Sequence, residues 1–264
     1  MSSGRWGDLA PRVISAIVML AIGGLAIWAG GWAFAALAIA VCGLMVWELA
    51  RMTEGAGGFQ ASVLLGLLGG LALGLNLLWP HPLMLGLLLM PSVFGLMVAR
   101  RDPMIYAAYA LVIMLTGFAL VCLRVNFGIV ALAWLLAVVV ASDVLGYFAG
   151  RILGGPKFWP RVSPKKTWSG TVAGWIGAAI VGLGFWQCGY GSMAILWVSP
   201  LVGFAGQMGD IVESAIKRRM GVKDSSGLIP GHGGVMDRFD ALAFGAILTM
   251  ILQALLAFLP QAQG

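Results

Sequence analysis

Polar positions cut this chain into apolar runs of nearly constant length. Nine runs of mostly apolar residues lie between them, at approximately 13 to 29, 32 to 49, 61 to 78, 83 to 99, 104 to 123, 127 to 149, 168 to 186, 194 to 212 and 239 to 259. Each approaches the ~20 helical residues that cross a hydrocarbon core about 30 Å thick. The pattern predicts an all-α, polytopic membrane helix bundle of about nine spans in a single membrane domain. Spans joined by short turns fill 1 to 125, whereas both long polar loops lie in 126 to 264. The run after Arg12 could pass for a signal peptide, but a second span follows at once, so an uncleaved helix is expected.

Composition agrees with the pattern. Of 264 residues, 61% are hydrophobic and 10% charged, against about a quarter charged in soluble domains. Disorder, a disulfide scaffold and an ordinary cytosolic enzyme are thereby excluded. The net charge of +6 would suggest nucleic acid in a soluble protein, but its placement points instead to a bilayer. With the N-terminus cytoplasmic, 15 of the 16 Lys and Arg fall inside, from Arg5 to Arg238 and including Arg161, and only Arg124 falls outside. Cys42, Cys122 and Cys188 lack any paired spacing and read as small core residues. Glycines four apart (Gly66, Gly70, Gly74; Gly146, Gly150; Gly170, Gly174) predict close helix contacts within one bundle, a homodimer face being the alternative.

Charged residues inside spans are costly, about 2.5 to 3.5 kcal/mol for an Asp at a helix centre, and mark function by default. Asp143 and Asp210 are such residues, the alternative being that each simply ends its helix near the interface; Glu48, beside Trp47 and Arg51, reads as an interfacial anchor. The densest polar segment, Asp210 to Asp240, holds Asp210, Glu213, Asp224, Asp237 and Asp240 together with Lys217, Arg218, Arg219, Lys223 and Arg238. Carboxylates, cations and glycines together suit a polyanion held through Mg²⁺. Asp210 and Asp237 are expected at the facing ends of the eighth and ninth helices as metal ligands. Asp237 and Asp240 share a helix face, with N-capping the alternative for Asp237, and capping or pairing with Arg238 for Asp240. Gly227 to Gly234 allows tight turns and close backbone approach to a ligand, and His232 within it is a candidate phosphate contact. The other long loop carries Arg151, Lys157, Arg161, Lys165 and Lys166 without an acid. Its Ser163-Pro164-Lys165-Lys166-Thr167 run is expected to open the seventh helix as an anion site.

These residues resemble a known family. Ser214 to Asp240, SAIKRRMGVKDSSGLIPGHGGVMDRFD, is similar to the signature of the phosphatidate cytidylyltransferase family, and Ser142-Asp143 with Tyr147 to Arg151 and the SPKKTW run resemble two further family segments. Ser169 stands where the family commonly has Glu. The resemblance implies transfer of a cytidylyl group from CTP to phosphatidic acid with Mg²⁺, a second cation extending that scheme, in a bacterial inner membrane with the active site facing the cytoplasm. It implies Asp210 and Asp237 on the metal, with Asp224 and Asp240 near them, and Lys217, Arg218, Lys223 and Arg238 on the triphosphate. Lys165 and Lys166 are then candidates for the lipid phosphate, and Asp143, Ser163, Ser214, Gly233 and Gly234 complete the substrate set beside His232.

A transporter would place its acids at midplane helix breaks, whereas here they cluster at cytoplasmic ends and loops. An alcohol phosphotransferase would carry an Asp-Gly-x-x-Ala-Arg run, which this sequence lacks. On this reading Asp210→Asn or Asp237→Asn abolishes Mg²⁺-dependent activity while the protein still inserts, and normal turnover in either variant removes that residue from the metal site.

Overall fold

The structure, a computed structural model, describes residues 9–54, 58–98, 100–160 and 162–261; Arg5 and Arg161 lie outside that set. The described residues form α1 (Leu9–Ala29), α2 (Gly31–Met52), α3 (Gly58–Leu78), a 3-10 helix (Pro82–Leu89) running into α4 (Met90–Leu96), α5 (Pro103–Asn126) and α6 (Gly128–Ile152). A hairpin of β1 (Lys157–Trp159) and β2 (Ser163–Thr167) follows, then α7 (Trp168–Gln187), α8 (Ile195–Met220) and α9 (Met236–Leu256). Eight of these helices are long and apolar enough to cross a membrane. The fold is the expected helical membrane bundle, with the chain grouped into two compact units, 1–121 with 220–239 and 122–219 with 240–264.

In the first unit the fourth expected span is the exception. Pro82 and Pro91 each lack an N–H, and Gly86 lies between them, so a regular α-ladder gives way to eight 3-10 residues followed by seven α-helical ones. The tighter 3-10 coil rises about 2.0 Å per residue, so the segment still reaches about 26 Å, against about 31 Å for α3. It returns the chain to the end that α3 left. There Arg100 Nη1 donates to Ala50 O at 2.9 Å and Thr53 Oγ1 at 3.1 Å, and the Arg101 N–H donates to Thr53 O at 3.3 Å. Arg101 Nη1 also reaches Met220 O at 3.3 Å, and Ser15 Oγ donates to Pro230 O at 3.0 Å. The start of α1, the end of α2, the turn before α5 and the 221–235 loop therefore share one end of this unit.

The glycine spacing produces helix contacts inside each unit. A Cβ on Gly66 of α3 would lie 2.8 Å from both Gly43 O and Trp47 Cβ of α2. In the second unit a Cβ on Gly146 of α6 would lie 3.1 Å from Gly170 O of α7, and one on Gly206 of α8 would lie 3.1 Å from Ala241 O of α9. Backbones approach this closely only where no side chain intervenes. Trp134 fills the centre of the second unit, its indole N–H donating to Ser199 Oγ at 3.0 Å, with Phe258 packed edge-on against its ring.

Three expectations change. The eighth helix does not stop near 212: the run from Ile211 to Met220 contains neither Gly nor Pro, so α8 continues to Gly221, whose φ of 76° ends it. Glu213, Ser214, Lys217, Arg218 and Arg219 consequently sit on a helix, its basic last turn matching the negative end of the helix dipole. Ser163 to Thr167 is strand β2, pairing Lys157 with Thr167 and Trp159 with Ser163, and only Thr167 caps α7, accepting the Gly170 N–H at 3.2 Å. Of the cysteines Cys42 is buried and Cys122 partly so, but Cys188 is exposed just after α7.

Gly66→Ala must push α2 and α3 apart and is expected to destabilise by about 1–3 kcal/mol. Gly184→Ala in α7, whose new methyl meets nothing within 4 Å, should leave stability unchanged or raise it by up to about 1 kcal/mol. Melting temperatures in detergent compare the two.

Candidate active site

In the second unit the polar centre is built on the Asp210 carboxylate of α8. Its Oδ2 pairs with Lys166 Nζ of β2 at 2.7 Å, and its Oδ1 accepts the Ser214 hydroxyl one turn on at 3.3 Å. Lys166 also donates to Gln207 O at 2.9 Å, and the Gln207 amide donates to Ser142 Oγ at 3.1 Å and Thr171 O at 3.3 Å. This chain of bonds ties β2, α6, α7 and α8 together. Asp143, next to Ser142, is an electrostatic neighbour of Lys166, Asp210 and Asp240. Asp240 in turn interacts with Asp210, Glu213 and Lys217, and its Oδ1 accepts the Ala241 N–H at 2.7 Å. Lys217 lies 3.1 Å from the buried Glu213, an i,i+4 pair on α8.

The strand conformation decides which lysine enters. Alternation along β2 leaves Lys165 exposed and turns the half-buried Lys166 toward Asp210. The hairpin is fastened below by Ser169, whose hydroxyl donates to Gly154 O and lies 3.0 Å from Thr167 Oγ1. At the position where the family commonly has Glu, a hydroxyl thus closes the linker between α6 and β1. Ser163 is half-buried at the turn end of β2, and Arg218 is exposed.

Asp210, Asp143 and Asp240 offer oxygen donors of the kind a hard divalent cation takes, with a lysine already balancing part of their charge. Among the described residues no group of three or more His, Cys, Asp or Glu converges closely enough to enclose a metal ion. This donor chemistry fits a cation that completes its shell with phosphate oxygens and water, the usual habit of Mg²⁺.

The rest of the signature folds within the first unit around two other carboxylates. Asp237, in the first turn of α9, accepts on Oδ2 the N–H of Gly234 at 2.7 Å, the N–H of Ser225 at 2.9 Å and the hydroxyl of Ser225 at 3.0 Å. Asp237 is thus not the N-cap of α9: it stands inside the first turn and holds the loop that leads into the helix. Of the two expected metal ligands, Asp210 belongs to the second unit and Asp237 to the first. Gly233, at φ 87°, and Gly234 are required by crowding: a Cβ on Gly233 would lie 2.6 Å from Asp237 Oδ2 and 3.3 Å from Asp224 Cβ, and one on Gly234 would lie 2.5 Å from Glu48 Oε1. The protein's own carboxylates approach the backbone closely there. Asp224, Lys223 and Arg238 face outward, Arg238 donating to His232 O at 2.9 Å.

Two contributors come from the N-terminal helices. Glu48 is not an interfacial anchor; it is fully buried and accepts four hydrogen bonds from the signature loop. Its place in an otherwise apolar span was the available signal, and the nearby Arg51 masked it. Ser15 of α1 lies 2.8 Å from His232 Nδ1, a contact that no local pattern announces.

Asp237→Asn turns an amide N–H₂ or a weaker acceptor toward three donors and is expected to cost about 1–3 kcal/mol. Asp210→Asn, at a half-exposed carboxylate, should lower the melting temperature less, so thermal unfolding of the two variants separates loop-holding from chemistry.

A family model described as "Cytidylyltransferase family" matches residues 10–256. The chain is 44% identical to the phosphatidate cytidylyltransferase of Helicobacter pylori strain 26695 over 144 residues, covering 54% of this chain and 53% of that protein. It is 43% identical over 133 residues to the protein of the same name from Brucella abortus strain 9-941, covering 50% and 49%. With the one from Staphylococcus haemolyticus it is 42% identical over 118 residues, covering 44% and 45%. The chain spans about half the length of the curated relatives it matches. With the match of the family model running from α1 to the end of α9, the chain belongs to the cytidylyltransferase family.

Proposed function

We propose that this protein is a phosphatidate cytidylyltransferase, transferring CMP from CTP to phosphatidic acid with release of pyrophosphate. The observation that carries the reading is the group formed by Asp210, Lys166, Asp143 and Asp240, which lies one to three turns inside the helices that lead to the basic loops. A lipid phosphate and a soluble nucleotide can meet only at such a level, one substrate lying in the bilayer and the other in water. The relatives' names supply the reaction class. The charge asymmetry supports a cytoplasmic site in a bacterial inner membrane.

In the proposed reaction a lipid phosphate oxygen attacks the α-phosphorus of CTP, forming a new P–O bond as the bond to the β-phosphate oxygen breaks. The attacking phosphate is already anionic, so positioning and charge neutralisation suffice without a strong base. Asp210, helped by Asp240, would hold Mg²⁺ against the nucleotide phosphates; bound there, the ion supplies neutralisation of charge developing on the leaving pyrophosphate. Asp237 belongs to the same scheme through the loop it organises. Lys217, Arg218, Lys223 and Arg238 would bind the triphosphate, and Lys165, exposed beside the half-buried Lys166, would take the lipid phosphate. Lys166 also keeps Asp210 oriented.

Purified protein given phosphatidic acid and α-labelled CTP should pass label into lipid with Mg²⁺ present and stop on chelation. Asp210→Asn should lower that rate by on the order of 100-fold with near-normal melting. Absence of transfer from folded protein across several lipids and metals would overturn the reading.

A further inference from the structure

Glu48 is the least expected charge in the first unit. Glu48 is 0% exposed on an apolar helix, yet its carboxylate bonds to residues 225–236. Oε1 accepts the Ser226 hydroxyl at 2.6 Å and the Val235 N–H at 2.9 Å. Oε2 accepts the Met236 N–H at 2.7 Å and the Ser225 hydroxyl at 3.1 Å. Three of these are dedicated donors, and the one proton of the Ser225 hydroxyl is shared between Glu48 Oε2 and Asp237 Oδ2. An ionised carboxylate, which accepts only and has about four lone-pair sites, fits that environment; an amide of the same shape would turn two of its own donors toward them. The charge also faces the positive end of α9, where the first N–H groups have no partner within the helix.

These bonds join the two ends of one loop. Ser225 and Ser226 enter it, Val235 and Met236 leave it, and Glu48 grips both pairs at once, with Ser225 Oγ also 3.0 Å from Asp237 Oδ2. The middle rests on α1 through Ser15 and His232. Between them lie Gly227, Gly231, Gly233 and Gly234, a composition whose unfixed backbone would wander over many conformations. Lys223 and Arg238 flank the clamped stretch.

We propose that Glu48 is a positioning residue of the cytidylyltransfer site: from α2 it pre-sets the 225–236 loop, so that CTP binds to cations already in place. The kinetic consequence rests on the function proposed above; the structural one does not. If the clamp is lost, each CTP must order the loop on binding, which raises the KM for CTP and leaves the KM for phosphatidic acid and the rate at saturating CTP nearly unchanged. A residue that merely stabilised the bundle would reduce the active fraction, lowering the maximal rate at constant KM.

The test uses the full-length protein with Glu48→Gln, which keeps size, and Ser226→Ala, which removes one donor from a partly buried loop residue and spares α2. Amide hydrogen exchange and transfer kinetics are measured on both. Expected for Glu48→Gln are at least about tenfold faster exchange at Val235 and Met236, unchanged exchange in α3, and a KM for CTP raised about tenfold. Ser226→Ala should move both readouts in the same direction by less. Unchanged exchange at Val235 and Met236 in Glu48→Gln, or a lower maximal rate at unaltered KM in both variants, overturns the proposal. Absence of cytidylyl transfer in the unmutated protein overturns the proposed reaction instead, and the exchange measurement alone then decides whether Glu48 holds the loop.

Discussion

A carboxylate carried on a helix that crosses a bilayer has lost the water that would solvate it, and its cost must be met by donors or cations within the protein. That constraint organises the polar half of this molecule. Glu48 is met by two hydroxyls and two helix-start N–H groups, Asp237 by the backbone of its own loop, and Asp210 by a lysine arriving on a strand. Each solution fixes a different piece of backbone. The signature is therefore rigid where it would otherwise be a glycine-rich connection.

The three solutions suggest a division of labour among acids that look alike in sequence. Asp237 and Glu48 are buried among neutral donors and share the Ser225 hydroxyl, an arrangement that stabilises loop geometry. Asp210 is half-exposed and balanced by a single lysine, with Asp143 and Asp240 as electrostatic neighbours, an arrangement that can exchange partners. A group that must meet phosphate or metal has to remain exchangeable, and the half-exposed Asp210 has that character.

Glycine plays two physically separate parts. Along α2, α3, α6 and α7 it lets helix backbones meet, as Gly43 meets Gly66 and Gly146 meets Gly170. At Gly233 and Gly234 it leaves room for the carboxylates that hold the loop. A methyl group at either kind of position collides with backbone or with a charged side chain, neither of which can move aside cheaply.

The sequence by itself determined the membrane class, the approximate spans, the asymmetry of charge and the family resemblance, because apolar length, charge sign and motif spacing are local properties. It also pointed to 126–264 and to Asp210, around which the structure gathers Lys166, Asp143 and Asp240. Where α8 ends was legible in principle from the lack of Gly or Pro before Gly221, but its high charge resembled a loop. Only the tertiary structure decided that Ser163 to Thr167 is a strand pointing Lys166 at Asp210, that Asp237 holds the loop before its helix, and that Glu48, 177 residues before Ser225, grips that loop from another helix. Those outcomes depend on which donors come within about 3 Å of which acceptors, and nothing in the local pattern of a single chain encodes a pairing between segments so far apart.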